Sequence, residues 1–202
     1  MSDTPDHAEV KPGGLRERKK ARTRLAIRQH ALRLFREQGY EETTVEQIAE
    51  AAEVSPSTFF RYFPTKEDVV MQDDFDPIAI AKFEAQPAGL HPVAALRVAM
   101  RETFAEAEPG ELEQWHELIK LAVSVPELRG RLLDDFVRTG GLTAELFGKR
   151  LGRDPDDLAI RTVAGAVVGV GIAMMGVALD APDADFVALM DAGLARLEAL
   201  PL

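Results

Sequence analysis

Apolar positions in the first third of the chain recur at helical spacing and stop at clear punctuation. Ile27, Ala31, Leu34 and Phe35 fall at i, i+4, i+7 and i+8, one face of a helix expected over residues 15 to 39, with Gly39 as its stop. Val45, Ile48, Ala49 and Ala52 repeat the pattern over a shorter run. Thr44 stands before that run and Gln47 three residues after Thr44. This is the spacing of a capping box, in which hydroxyl and amide each take a backbone N–H that the first turn leaves unpaired. Ser55 followed by Pro56 marks another start, because proline at the first helical position gives up only an N–H that has no partner there. Two short helices across a tight turn make a helix-turn-helix, and the second such helix ordinarily enters the major groove of DNA.

Beyond residue 66 every signal is helical and no strand alternation is convincing, so the expected class is all-α. Thr65 caps a helix starting at Lys66, with Asp68 completing the pair, and Pro77 is expected to bend or end it. Further helices are expected from His91-Pro92 to about Glu106, from Glu111 to Val123, from Pro126 to Leu151 through Gly140-Gly141, from Asp154-Pro155 to Leu179, and from Asp183 onward. Val163 to Leu179 is an unbroken run of apolar residues and glycine, at the short end of what spans ~30 Å of hydrocarbon. We read it as a buried helix packed on its own subunit on one side and on a second copy on the other, not as a membrane span. The expected dimer face is Val167, Val170 and Met174 together with Phe186, Leu189, Met190, Leu194 and Leu197 of the last helix.

Charge sharpens the picture. The net value of −10 over 202 residues argues against nucleic acid until the chain is divided. Residues 11 to 66 hold 12 Lys+Arg against 7 Asp+Glu, while residues 67 to 202 hold 12 against 24. A basic module therefore precedes an acidic body. The expected organisation is a polar, disordered arm over 1–14, a helix-turn-helix DNA-binding domain over 15–66, and a helical ligand-binding and dimerisation domain over 67–202. The N-terminus is polar and unlike a secretory signal, so the expected location is cytoplasmic. There is no cysteine, which excludes disulfides and thiolate metal sites.

Candidate contacts to DNA follow from the faces of the second short helix. Phe59 and Phe63, four apart, share the face to be buried. Ser57, Phe60 and Arg61 fall on another face beyond Pro56, with Thr58 and Tyr62 to the side. Arg61 offers a planar fork to guanine O6 and N7, Ser57 and Thr58 can bond phosphates or base edges, and Phe60 can pack on a thymine methyl or a sugar. Arg16, Lys20, Arg24 and Arg28 recur every four residues, and no acidic residue stands three or four positions from Arg24 or Arg28. Both are expected at phosphates, as is Lys66 at its helix start.

Enzymatic chemistry finds little support. The histidines at 7, 30, 91 and 116 are scattered, and His116-Glu117 lacks the second histidine of a zinc-protease motif. Gly169, Gly171 and Gly176 miss the dinucleotide spacing, and no G-x-S-x-G elbow occurs. No catalytic residue, metal site or cofactor is therefore expected. The candidates for a ligand pocket are Met100, Phe104, Trp115, His116, Leu118, Phe136, Met174 and Met175, whose aromatic and thioether character would suit a mostly apolar small molecule. A DNA-binding helical protein with no effector, and less readily a ligand-processing enzyme, remain the alternatives.

The block TVEQIAEAAEVSPSTFFRYFPTKEDVV resembles the DNA-binding signature of the TetR (tetracycline-repressor-like) family, over about residues 20 to 70. Its sharpest part is the run from Phe60 to Lys66. The resemblance implies an all-helical subunit of nine or so helices, three of them binding DNA and the rest binding ligand and dimerising. It further implies a homodimer on a near-palindromic operator, usually a repressor released by a small molecule. It places phosphate contacts on Thr44, Thr58 and Lys66 and base-reading positions on Pro56, Ser57, Arg61 and Tyr62. Two positions depart from the family pattern: Glu53 stands where the turn usually has glycine, and Phe60 stands where tyrosine is frequent.

Overall fold

The computed structural model describes residues 15–72, 75–107, 110–181 and 185–199. The arm expected over residues 1–14 and the helix start expected at Asp183 lie outside the described residues. Among the described residues there are ten helices and no strand. They divide into two compact units between Val69 and Val70.

The first unit contains α1 (Leu15–Gln38), α2 (Val45–Ala51), α3 (Pro56–Tyr62) and the start of α4 (Lys66–Met71). Gly39, at φ +90, stops α1, and its N–H returns to the Phe35 carbonyl at 3.1 Å. The inner face of α1 is Ile27, Ala31, Leu32 and Phe35, so Leu32 takes the inward place expected of Leu34, which is only partly buried. α1 packs on α2 and α2 on α3, with Ile48, Ala49, Phe59 and Phe63 buried.

The second unit continues through α5 (Asp76–Ala85), α6 (Pro92–Ala105), α7 (Glu111–Ser124), α8 (Pro126–Leu151), α9 (Leu158–Asp180) and α10 (Phe186–Glu198). α8 packs on α7 and α9, α6 on α5 and α10, and α9 on α10. Phe83 stacks on Phe147 at 5.8 Å, among Val93, Ile160 and Leu194. Each such side chain contributes about 1.5–3 kcal/mol by leaving water. Arg150 lies over the Phe83 ring and donates to the carbonyls of Gln86, Pro87 and Leu90, which fastens the loop between α5 and α6 to α8. Arg97 ties α6 to α10 through Asp191 (2.9 Å) and Glu198, and its bond to Asp191 holds that carboxyl below the usual carboxylate range.

Three expectations change. Pro77 opens α5 instead of ending α4, because at the second helical position its missing N–H removes no helical bond. α9 begins at Leu158 with Asp157 as its cap, accepting from the Ala159 N–H at 2.8 Å, while Asp154 only closes the preceding turn on the Asp156 N–H. α9 is also not buried all round. Its Leu158–Val177 stretch is long and apolar enough by composition to cross a membrane, yet only one face is covered. Ile160, Ala164 and Val167 are buried, whereas Leu158, Ile172 and Val177 are exposed.

Candidate nucleic-acid interface and ligand cavity

The turn between α2 and α3 is built by its ends. The Thr44 hydroxyl accepts the Gln47 N–H at 3.2 Å, and Gln47 Oε1 accepts the Thr44 N–H at 2.9 Å. At the other end of α2, the Val54 N–H reaches the Ala49 carbonyl and the Glu53 N–H the Glu50 carbonyl, a Schellman closure. Such a closure needs a left-handed residue at its hinge, and Glu53 supplies it at φ +54. A side chain there costs about 1–2 kcal/mol. Replacing Glu53 with glycine should therefore stabilise the first unit by about 1 kcal/mol in a denaturant titration, less than the full strain because glycine also loosens the unfolded chain. An unchanged midpoint would mean the turn is already relaxed.

α3 then starts at Ser55, whose Oγ accepts the Thr58 N–H at 3.1 Å and also lies 2.9 Å from Ser57 Oγ and Thr58 Oγ1. Phe59 and Phe63 anchor the helix, both at 0% exposure with rings 5.9 Å apart. Pro56, Ser57, Phe60 and Arg61 are exposed, Phe60 to 48%. Thr58 and Tyr62 sit at the margin, with the Arg61 guanidinium 5.5 Å from the Tyr62 ring centre. The anchored face thus leaves an outward rod that carries the Arg61 fork, the exposed Phe60 ring and the Ser57 hydroxyl, with the Thr58 and Tyr62 hydroxyls at its margin.

The basic residues sort differently from their spacing. Arg28 is buried, and its Nε donates to the Val69 carbonyl at 3.3 Å. Arg24 and Arg28 both lie over the Phe63 ring, at 5.3 and 5.7 Å. Lys66 donates to the carbonyls of Tyr40 (2.8 Å) and Thr43 (3.0 Å) and covers the Tyr40 ring. Arg28 is therefore a strut between α1 and α4 instead of a phosphate contact. Lys66 has at most its third proton left for a phosphate. Spacing along a helix says which face a cation shares but not whether a carbonyl waits there. Gln38, unremarked in the sequence, belongs to the same scaffold: its amide donates to Glu42 O, Thr43 Oγ1 and Gln47 Oε1.

The second unit holds a cavity of about 290 Å³ between α4, α5, α6, α7, α8, α9 and α10. Met100, Trp115, Leu118, Phe136 and Met175 line it as expected. Phe104, His116 and Met174 do not. Phe104 packs against Phe75 and Trp115. His116 lies between Trp115 and Phe186, where burial first, and then Lys120, pushes its imidazole below the ordinary range. Met174 faces Gly193 of α10. α8 contributes far more than the expected Phe136: Leu132, Asp135, Thr139, Leu142, Thr143 and Leu146 also line the wall at helical spacing. That periodicity was available, but two threonines and an aspartate hid it from a search for apolar residues.

The expected dimer face also needs correction. Val167, Phe186, Met190 and Leu194 are buried in the core of their own subunit, and Val170, Met174 and Leu197 pack against it. The outward stripe of α9 is instead Thr162, Gly165, Gly169, Ile172, Ala173 and Gly176. A Cβ built on Gly165, Gly169 or Gly176 meets nothing within 4 Å.

Comparison with known proteins bears on both units. Residues 27–72 match the family model for bacterial regulatory proteins of the tetR family, and residues 90–200 match that for the MftR C-terminal domain. The chain is 40% identical to the HTH-type transcriptional regulator TcmR of Streptomyces glaucescens over 164 residues, 77% of this chain and 73% of that protein. Among solved structures, Thermus thermophilus FadR, a transcriptional repressor in complex with lauroyl-CoA, aligns with a TM-score of 0.54 at 26% identity, over 89% of this chain and 96% of that one. SmeT, the repressor of a Stenotrophomonas maltophilia multidrug efflux pump, aligns with a TM-score of 0.60 at 18% identity, over 87% and 88%.

Proposed function

The chain belongs to the TetR family of bacterial regulatory proteins, a DNA-binding transcriptional regulator, and from that premise we propose that it is a homodimeric repressor released from its operator by a small, mostly apolar ligand. The observation that carries this reading is the anchoring of α3. Phe59 and Phe63 fix the helix inward while Pro56, Ser57, Phe60 and Arg61 face out. Arg61 and Tyr62 read bases, Ser57, Thr58 and Thr44 hold sugar-phosphate, and Arg24 adds charge. Phe60, without a hydroxyl, contributes packing alone. The protein works in the cytoplasm on double-stranded DNA, with neither cofactor nor catalysis.

Two copies meet through the outward stripe of α9, which supports a dimer by two features. Exposed Ile172 and Val177 seek cover, and the glycines at 165, 169 and 176 have no neighbour in their own subunit to account for them. Small residues let a second helix approach closely. In the DNA-bound form the two α3 helices lie ~34 Å apart in successive major grooves. α4 carries Lys66 in the first unit and Val70 and Met71 on the cavity wall, so a ligand that prefers another position of α4 lowers operator affinity, and DNA weakens the ligand equally.

Selection of bound sequences from a random DNA pool tests the reading. Arg61→Ala should cost about 1–3 kcal/mol and relax preference at one base pair per half-site. Preference that survives unaltered at every position would take Arg61 out of the readout. Binding that is indifferent to salt would remove the phosphate contacts altogether.

A further inference from the structure

The cavity has a charge pattern that an apolar container does not need. Among the described residues lining it there is no lysine, arginine or histidine, whereas Asp76 and Asp135 are both present. Asp135 begins a polar line along α8, with Thr139 and Thr143 following at one-turn intervals, all on the cavity wall. Arg138 places both of its bonds to Asp135 on Oδ1, from Nε at 3.2 Å and Nη2 at 2.5 Å. Asp135 Oδ2 has no partner among the described residues. The Thr139 and Thr143 hydroxyls are likewise unengaged there, although Thr143 is only 8% exposed. Elsewhere the chain treats helical threonines otherwise: Thr23, Thr103 and Thr162 each return the hydroxyl to the carbonyl four residues back. α6 and α7 supply Met100, Trp115 and Leu118 to the same cavity.

Thr143 is nearly buried with its hydroxyl unengaged, and the partly buried Thr139 hydroxyl and Asp135 Oδ2 stand in line with it on the cavity wall, so an occupant that bonds all three fits the site. The sign of its charge follows. Arg138, which pairs with Asp135 from outside the wall, is a single cation against two carboxylates, Asp135 and Asp76, so the wall still repels a bound carboxylate or phosphate. An ammonium reverses the sign. It donates to Asp135 Oδ2 and leaves further protons for the threonine hydroxyls, while its apolar body lies against Trp115 and Met100.

We propose that the cavity takes a lipophilic molecule bearing a protonated amine, held by Asp135 Oδ2 with Thr139 and Thr143, and that it rejects anionic amphiphiles of the same body. This rests on the reading that the cavity is the effector site. The probes are decylamine, 1-decanol and decanoate at neutral pH and below micelle-forming concentration, added to the full chain. Trp115, the one tryptophan of the protein, lines the cavity and reports binding by its emission, with calorimetry alongside. Decylamine should bind at least about tenfold more tightly than decanoate, with 1-decanol between them. Asp135→Asn should shrink that gap to about threefold or less, by weakening the amine and relieving the repulsion of decanoate, with 1-decanol little changed. Gly171→Leu, whose Cβ has open space on the cavity wall, should suppress the response to all three.

Decanoate binding as well as decylamine, with Gly171→Leu still blocking both, would overturn the charge selection and leave the cavity reading standing. A gap unchanged in Asp135→Asn would overturn Asp135 as the recognising group. Probes that leave Trp115 unaffected, or that bind Gly171→Leu as they bind the parent, would remove the cavity as a ligand site and the inference with it.

Discussion

Phe59→Ala should cost the first unit about 3–5 kcal/mol and abolish operator binding. Phe59 is fully buried, its ring 5.9 Å from that of Phe63, and it is the side chain by which α3 is held against the rest of the unit. Truncation removes the transfer free energy of a benzyl group and leaves a void that a seven-residue helix cannot collapse to fill. Small domains hold only about 5–15 kcal/mol in total, so the loss takes most of the margin of so small a unit. The neighbouring Phe60→Ala is the control. Phe60 is 48% exposed, and its loss should leave stability within about 0.5 kcal/mol while still weakening DNA binding. Thermal unfolding followed by circular dichroism, with operator binding by anisotropy, separates the two. A Phe59→Ala protein that melts and binds as the parent does would mean that α3 is held by something other than its aromatic face.

The contrast between those two phenylalanines was legible in the sequence, because four-residue spacing puts Phe59 and Phe63 on one face and Phe60 on another. Thr44, Ser55 and Gly39 were legible for a related reason: caps are local, and a hydroxyl three residues before its target N–H needs no tertiary partner. The left-handed turn at Glu53 could be expected only because the resembling family puts glycine there. What sequence pattern did not carry was long-range. Arg28 has the spacing of a phosphate-facing stripe and Lys66 stands at a helix start, yet each finds a carbonyl 41 or 23 to 26 residues away in sequence. The faces of α9 were hidden in another way. A helix apolar at nearly every position has no polar side to mark the exterior, so the inward Val167 and the outward Ile172 read alike until the packing of α8 and α10 sorts them. Met190 and Leu194 of α10 were drawn to the wrong side by the same ambiguity.

That sorting gives the second large effect. Ile172→Glu should convert the dimer to monomer at micromolar concentration and reduce operator affinity by at least about a hundredfold, without lowering the melting temperature of the isolated subunit. Ile172 is 46% exposed in the single chain, so glutamate there remains in water and costs the fold little. In a symmetric pair the same substitution appears on both faces of the contact, and each carboxylate would be desolvated against an apolar helix, because Arg161, the exposed cation at the start of that face, already pairs with Asp156 at 2.8 Å. Uncompensated buried charge costs about 3–5 kcal/mol, enough to raise a dimer dissociation constant from nanomolar to micromolar. Operator binding falls with it, because a lone α3 reads one half-site and loses the second set of phosphate contacts. Met190→Glu makes the opposing case: Met190 is buried in the subunit core, so that variant should unfold the second unit before any question of assembly arises. Sedimentation of the two variants beside the parent distinguishes the faces. A dimer that persists in Ile172→Glu, with operator affinity intact, would move the subunit contact off the glycine stripe of α9.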